Sequence, residues 1–182
     1  MKQSVFTYPE AYSSVQEFLT TTATSNGSRP FVIVPDINQE ITYSEVKKLW
    51  GFGAAFLQSE GIRKHDRVLL ALSNSLEYIL ALGSIFLAGA VPIIVNPNTD
   101  SGQLKELALL INAHHIIGYK PVMGLTHYSP DTFLLSTLMQ RNGDYKEVIT
   151  QLDDIAYIIF TSGSTGKMKG TKISQKIGRA HV

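Results

Sequence analysis

The sequence predicts an α/β fold, a layered and mostly parallel sheet with covering helices, on three observations. From residue 67 onward, short apolar runs alternate with stretches of helical length, the pattern of parallel strands joined by crossover helices. The short runs are apolar at consecutive positions, as strands buried on both faces must be. Hydrophobic residues make up 44% of the 182, enough for a packed core and far from the composition of a disordered chain.

The elements come in order along the chain. Residues 11–22 place Val15, Phe18 and Leu19 at helical spacing, and Asn26, Gly27 and Ser28 then supply a turn. Residues 31–34 and 39–43 flank Pro35, Asp36, Ile37 and Asn38 and read as a β-hairpin. Thr42 and Glu45 have capping-box spacing, so each side chain can satisfy a free amide of the other residue. The helix they open carries Val46, Leu49, Trp50, Gly53, Ala54 and Leu57 on one face and stops at Gly61. Next come a strand over 67–73, a helix over 75–88, a strand over 91–95, a helix over 101–113 and a strand over 115–119. Residues 120–153 are less regular, with a candidate strand over 132–135 and a turn at Arg141, Asn142, Gly143 and Asp144.

Composition excludes several classes. Sixteen Lys and Arg against fifteen Asp and Glu leave a net charge of +1, so no global field would recruit nucleic acid or an anionic membrane. The absence of cysteine excludes disulfides, thiolate metal sites and a cysteine nucleophile, and a cytoplasmic location fits. Residues 1–10 lack the apolar stretch of a signal peptide. Residues 78–95 are uncharged and just reach spanning length, but Gly89 and Pro92 interrupt them and no basic cluster flanks them. They read as a buried helix followed by a buried strand, with a membrane span as the alternative.

Chemistry concentrates after the last apolar run, residues 155–160, which leads into Thr161, Ser162, Gly163, Ser164, Thr165, Gly166, Lys167, Met168, Lys169 and Gly170. Ligands of α/β proteins sit where strands emerge from the sheet. Glycines let backbone amides approach an anion, hydroxyls donate to its oxygens and lysines add compact positive charge, so these residues suit a polyphosphate. A solvated Gly/Ser turn is the alternative. The common G-x-x-x-x-G-K-[ST] loop is excluded, because Thr161 stands where it needs glycine and Met168 where it needs Ser or Thr. No convincing helix comes next, since residues 171–174 are few and partly β-branched. His114 and His115 lack a third ligand at metal spacing, Asp153 and Asp154 read as a solvated boundary or cap, and Trp50, Phe52 and Phe56 read as packing.

The segment YIIFTSGSTGKMKG resembles the signature T-S-G-[ST]-T-G-x-P-K-G of the adenylate-forming (AMP-binding) superfamily, with Met168 in place of its proline. Ile41, Thr42, Tyr43, Ser44, Glu45 and Val46 resemble that family's early L-T-Y-x-E-L element. Gly61, Ile62, Asp66, Arg67 and Val68 resemble its G-[IV]-x-x-G-D-x-V entry to the first buried strand, with His65 at the second glycine. Leu87, Ala88, Gly89, Ala90, Val91 and Pro92 resemble its small-residue turn into the next strand, so the likeness runs in order over about residues 42–174.

The resemblance implies that residues 1–176 are the N-terminal part of a large AMP-binding domain. It implies an enzyme that activates a carboxylic acid with ATP and Mg²⁺, releases pyrophosphate, and passes the acyl group to coenzyme A or a carrier-protein thiol. Thr161, Ser162, Gly163, Ser164, Thr165 and Gly166 would hold the β- and γ-phosphates, Thr161 would help ligate the metal, and Lys169 would stabilise the departing pyrophosphate. Asn96 and Pro97 resemble the N-P turn of acyl-CoA synthetases more than the I-D-P turn of peptide-synthetase adenylation domains, which remain the alternative together with a non-catalytic nucleotide-binding module. The family's ribose-binding aspartate, metal-binding glutamate and C-terminal catalytic lysine would lie beyond residue 182, so this chain alone is expected to be inactive. Residues 177–182 (IGRAHV) differ from the stretch that comes after the loop in that family and read as a non-native tail.

Overall fold

A computed structural model describes residues 12–35, 38–162 and 168–175 of the chain. Helix α1 (Val15–Asn26) leads into an antiparallel pair, β1 (Pro30–Val34) and β2 (Gln39–Thr42), which is the expected hairpin. Helix α2 (Tyr43–Ser59) begins at the expected capping box, in which Thr42 Oγ1 accepts from the Glu45 amide and the Glu45 carboxylate accepts from the Thr42 amide. Its buried residues are the six that helical spacing singles out.

Strand β3 (Arg67–Ala71), helix α3 (Leu76–Leu87), strand β4 (Val91–Ile94), helix α4 (Ser101–Ile111) and strand β5 (His115–Gly118) alternate as the pattern predicts. Strands β6 (Thr126–Tyr128), β7 (Ile155–Ser162) and β8 (Met168–Ser174) complete a six-stranded sheet of order β6-β5-β3-β4-β7-β8. Every pairing in it is parallel except that of β7 with β8.

The core lies on both faces of this sheet. Val68, Leu70 and Ile117 point into a cluster with α2 and α3 that also holds Trp50 and Phe133. Leu69, Ala71, Val91, Ile93, Ile116 and Ile158 face the other way, onto Leu104, Leu107 and Ala108 of α4. Alternate side chains of a strand go to opposite faces, so the unbroken apolar runs of β3 and β5 fill two layers. Most of the stretch 78–95 falls in α3 and β4, with a turn between them, and among the described residues no helix is long and apolar enough to cross a membrane.

Three expectations are corrected. The first helix buries only Ala23 fully, and Phe18 is exposed, its ring edge-on to Tyr12. Residues 132–135 do not form a strand. Pro130–Phe133 is a 3-10 turn opening on a proline, and α5 (Leu135–Met139) comes after it, while the missed strand β6 lies just upstream. The Arg141-to-Asp144 stretch carries no hydrogen-bonded turn, although Gly143 adopts φ 126°. Residues 177–182 lie outside the described residues.

Candidate phosphate-loop site

Strands β3, β4, β5 and β7 run parallel, so their carboxyl ends share one edge of the sheet. The hydroxyl-rich segment emerges there. Strand β7 carries the chain through Thr161 and Ser162 to that edge, and β8 brings it straight back, with Thr161 opposite Lys169 and Ser162 opposite Met168. The segment therefore begins in one strand and ends in its antiparallel neighbour, and the element after it is a strand rather than a helix. A helix dipole is not available from that side, which leaves hydroxyls, lysines and loop amides as the groups that could hold an anion.

Of the proposed phosphate-binding residues, Thr161, Ser162 and Lys169 fall within the two strands, where the register brings the backbones of Thr161 and Lys169 to one level. Gly163, Ser164, Thr165, Gly166 and Lys167 lie outside the described residues. Gly170 has a packing role that the sequence alone does not reveal. A methyl built on it would lie 2.5 Å from the Phe160 ring, so the aromatic side chain of β7 covers its backbone.

Neighbouring turns on the same edge are tied internally. Asn96 Oδ1 accepts from the Asn98 amide at 2.9 Å, so the polar head of the N-P turn is engaged within its own turn, and Asp100 caps α4 through the Gly102 amide. The Ser73 amide donates to the Tyr119 hydroxyl at 3.4 Å across the ends of β3 and β5.

Two polar groups sit at the opposite, amino edge. His115 begins β5, stacks on Tyr128 and approaches its hydroxyl at 3.3 Å. Burial pushes the His115 pKa down and, with a smaller contribution from Glu60, pushes Tyr128 up to about 12. Asp154, read from sequence as a solvated boundary or a cap, precedes β7. Its Oδ2 accepts from the Gln151 amide at 2.8 Å and lies 3.2 Å from both Lys64 Nζ and His65 Nε2. The Gln151 amide first, and then the two side chains, hold its carboxyl at about 2, below the ordinary 3.8. Sequence reasoning missed this partnership because residues 64 and 154 are far apart in the chain. The signal was His65 itself, which occupies φ +68° where the family pattern has glycine.

Cavities among the described residues lie elsewhere. One of about 450 Å³ opens between α1 and α2 beside Lys47, Lys48 and Tyr145, and one of about 330 Å³ lies between the start of α1 and residues 145–150.

Comparison with known proteins agrees with this geometry. The chain is 31% identical over 152 residues to a mycosubtilin synthase polypeptide of Bacillus subtilis, a match covering 79% of the chain and 6% of that protein. It is 25% identical over 153 residues to a 4-chlorobenzoate–CoA ligase of Arthrobacter sp, covering 78% of the chain and 29% of the ligase. The Klebsiella oxytoca NpsA N-terminal subdomain, solved in complex with 3-hydroxybenzoyl-AMSN, superposes with a TM-score of 0.76 at 27% identity. That match covers 91% of the chain and 42% of the NpsA chain. The chain thus spans only a minor part of each of these proteins. Residues 19–177 match the profile of the AMP-binding enzymes, and the chain belongs to that family.

Proposed function

We propose that the protein containing this chain activates a carboxylic acid as its acyl-adenylate and passes the acyl group to a thiol, as acyl-CoA synthetases do. The observation that carries the reading is that β7 and β8, which flank the hydroxyl- and glycine-rich segment, meet it at the carboxyl edge of a parallel sheet, in a chain of the AMP-binding family. In the first half-reaction a carboxylate oxygen attacks the α-phosphorus of ATP, the bond to the bridging oxygen breaks, and pyrophosphate leaves. In the second, the thiol sulfur attacks the acyl carbon and AMP leaves.

The roles assigned to this chain are to bind and to neutralise. The amides of Gly163 and Gly166 and the hydroxyls of Thr161, Ser162, Ser164 and Thr165 hold the β- and γ-phosphates, while Lys169 meets the charge that grows on the departing pyrophosphate. The pairing of Thr161 with Lys169 across the hairpin supports a shared ligand, since both residues reach the same level of the edge. A hard oxygen donor at Thr161 also suits Mg²⁺, which keeps several waters and otherwise takes phosphate oxygens. When bound, the metal would screen the polyphosphate charge. Within this reading the 182 residues alone are inactive, and the protein works in the cytoplasm.

Similarity to a mycosubtilin synthase, at higher identity than to the CoA ligase, favours a second acceptor, a thiol borne on a carrier protein. The test is acid-dependent exchange of labelled pyrophosphate into ATP by the longer protein, across a panel of aryl, fatty and amino acids. Exchange with an acid, followed by acyl transfer to coenzyme A, supports acid–CoA ligation. Transfer only to a carrier protein favours the second acceptor, and no exchange with any acid counts against both.

A further inference from the structure

The hairpin that carries the phosphate loop is joined to the rest of the sheet by a short ladder. Only Ile93 with Ile158 and Ile94 with Ile159 pair β4 with β7, whereas four consecutive pairs join β3 to β4 and four join β3 to β5. Strand β8 pairs with β7 alone among the described strands. The foot of the hairpin, Ile155 to Tyr157, thus precedes the ladder and takes no part in the pairing with β4.

A polar connection spans that foot. The turn before β3 is bound to the start of β4 through its backbone, with the His65 amide donating to Gly89 O at 2.9 Å and Asp66 O accepting from the Val91 amide at 2.8 Å. The Asp66 carboxylate accepts from the Arg63 amide at 2.8 Å and stiffens the turn. From this turn Lys64 and His65 reach the Asp154 carboxylate at the start of β7, each at 3.2 Å. Asp154 O in turn accepts from the Gln175 amide at the end of β8. Gln175, 7% exposed, accepts from the Val15 amide through Oε1 at 2.8 Å, which ties the same foot to α1. The Lys64 and Asp154 side chains are 35% and 18% exposed, so their pairing is shielded in part from solvent.

We propose that Lys64, His65 and Asp154 are positioning residues, a polar clasp at the foot of the β7–β8 hairpin that fixes β7 beside β4 and so fixes where the phosphate loop emerges. The left-handed backbone of His65 belongs to this arrangement. Glycine would adopt φ +68° without strain but would carry no side chain to Asp154, so the histidine trades local backbone ease for a contact to the hairpin.

The clasp itself stands independently of the proposed function, which enters only in the role of the loop. The test is amide hydrogen exchange on the 182-residue chain, comparing the hairpin foot (residues 155–159 and 171–175) with α2 and α3. In Asp154→Ala and Lys64→Met the foot is expected to exchange at least about threefold faster, the scale of a partly exposed ion pair, while the α2 and α3 amides hold their rates. Lys64→Arg should restore the wild-type rate. His65→Gly is decisive, because it relieves backbone strain and should leave denaturant stability unlowered while the foot still exchanges faster. Foot rates unchanged in both Asp154→Ala and His65→Gly, or rising in step with α2 and α3, would overturn the clasp. If Asp154→Ala does not fold, Lys64→Met and His65→Gly decide alone. Adding MgATP separates the two readings. Protection of residues 168–174 in wild type, half-maximal at higher ATP in His65→Gly and at the wild-type ATP concentration in Lys64→Arg, supports both. Absence of protection in wild type counts against nucleotide binding by this chain, and the clasp is then judged on the ATP-free rates.

Discussion

At Gly83 the packing of α2 against α3 leaves no room for a methyl group, since a Cβ there would lie 2.2 Å from Trp50 Nε1. Trp50 cannot easily retreat, because Nε1 donates to Ile79 O at 3.1 Å and its ring packs edge-on against Phe31. Gly83→Ala should therefore lower stability by about 1–3 kcal/mol, the usual cost of overpacking, as a fall in the denaturant midpoint at unchanged slope. Asp154 gives a pH prediction. Its carboxyl titrates near 2 when folded and near 3.8 when unfolded, so between these values the unfolded chain binds more protons. The contribution of Asp154 is thus complete above about pH 4 and is lost as pH falls towards 2. In Asp154→Asn the stability lost between pH 5 and pH 3 should be smaller than in wild type, read from urea midpoints. Crowding at Gly83 depends on which helix packs on Trp50, and the Asp154 partners come from a distant turn, so neither was readable from local sequence.

Among the elements, α2 was the most legible. Its cap, its buried face and its stop are local features, and the structure reproduces all three. Thr42→Ala removes the side-chain acceptor for the Glu45 amide and should cost about 0.5–2 kcal/mol, while Thr42→Ser should retain most of it, as thermal melts can show. The segment after β5 was the least legible. Strand β6 has only three residues, held by the His127 ring donating to Gly118 O at 2.8 Å and by Tyr128 against His115. Such long-range anchors leave no periodicity to read. The 3-10 turn did leave a sign, Pro130 at a helix-opening position, but the β-branched and aromatic residues beside it suggested a strand. The phosphate loop was legible as composition and as the end of a strand. That the chain returns antiparallel was not, because residues 171–174 are too few to show a period.

At the scale of the molecule, the neighbouring strands β3 and β5 each contribute to two cores, and β3 contributes most. Successive residues of β3 enter opposite layers, Leu70 with Trp50 and α3 on one side and Leu69 with Leu107 and α4 on the other. If β3 transmits loss of packing between layers, the protein unfolds as one unit although its clusters do not mix. Trp50 is the single tryptophan, so its fluorescence reports on one layer only. Leu107→Ala lies in the other layer, at a residue 2% exposed, and should cost about 2–5 kcal/mol through the lost contacts and the cavity left behind. Shared cooperativity requires that this distant change move the Trp50 transition to lower denaturant by the same amount as the far-ultraviolet circular dichroism transition. Loss of the dichroism midpoint with an unmoved Trp50 midpoint would mean that the α4 layer opens alone. In that event the face of the sheet covered by α4 would be less stable than the face covered by α2 and α3.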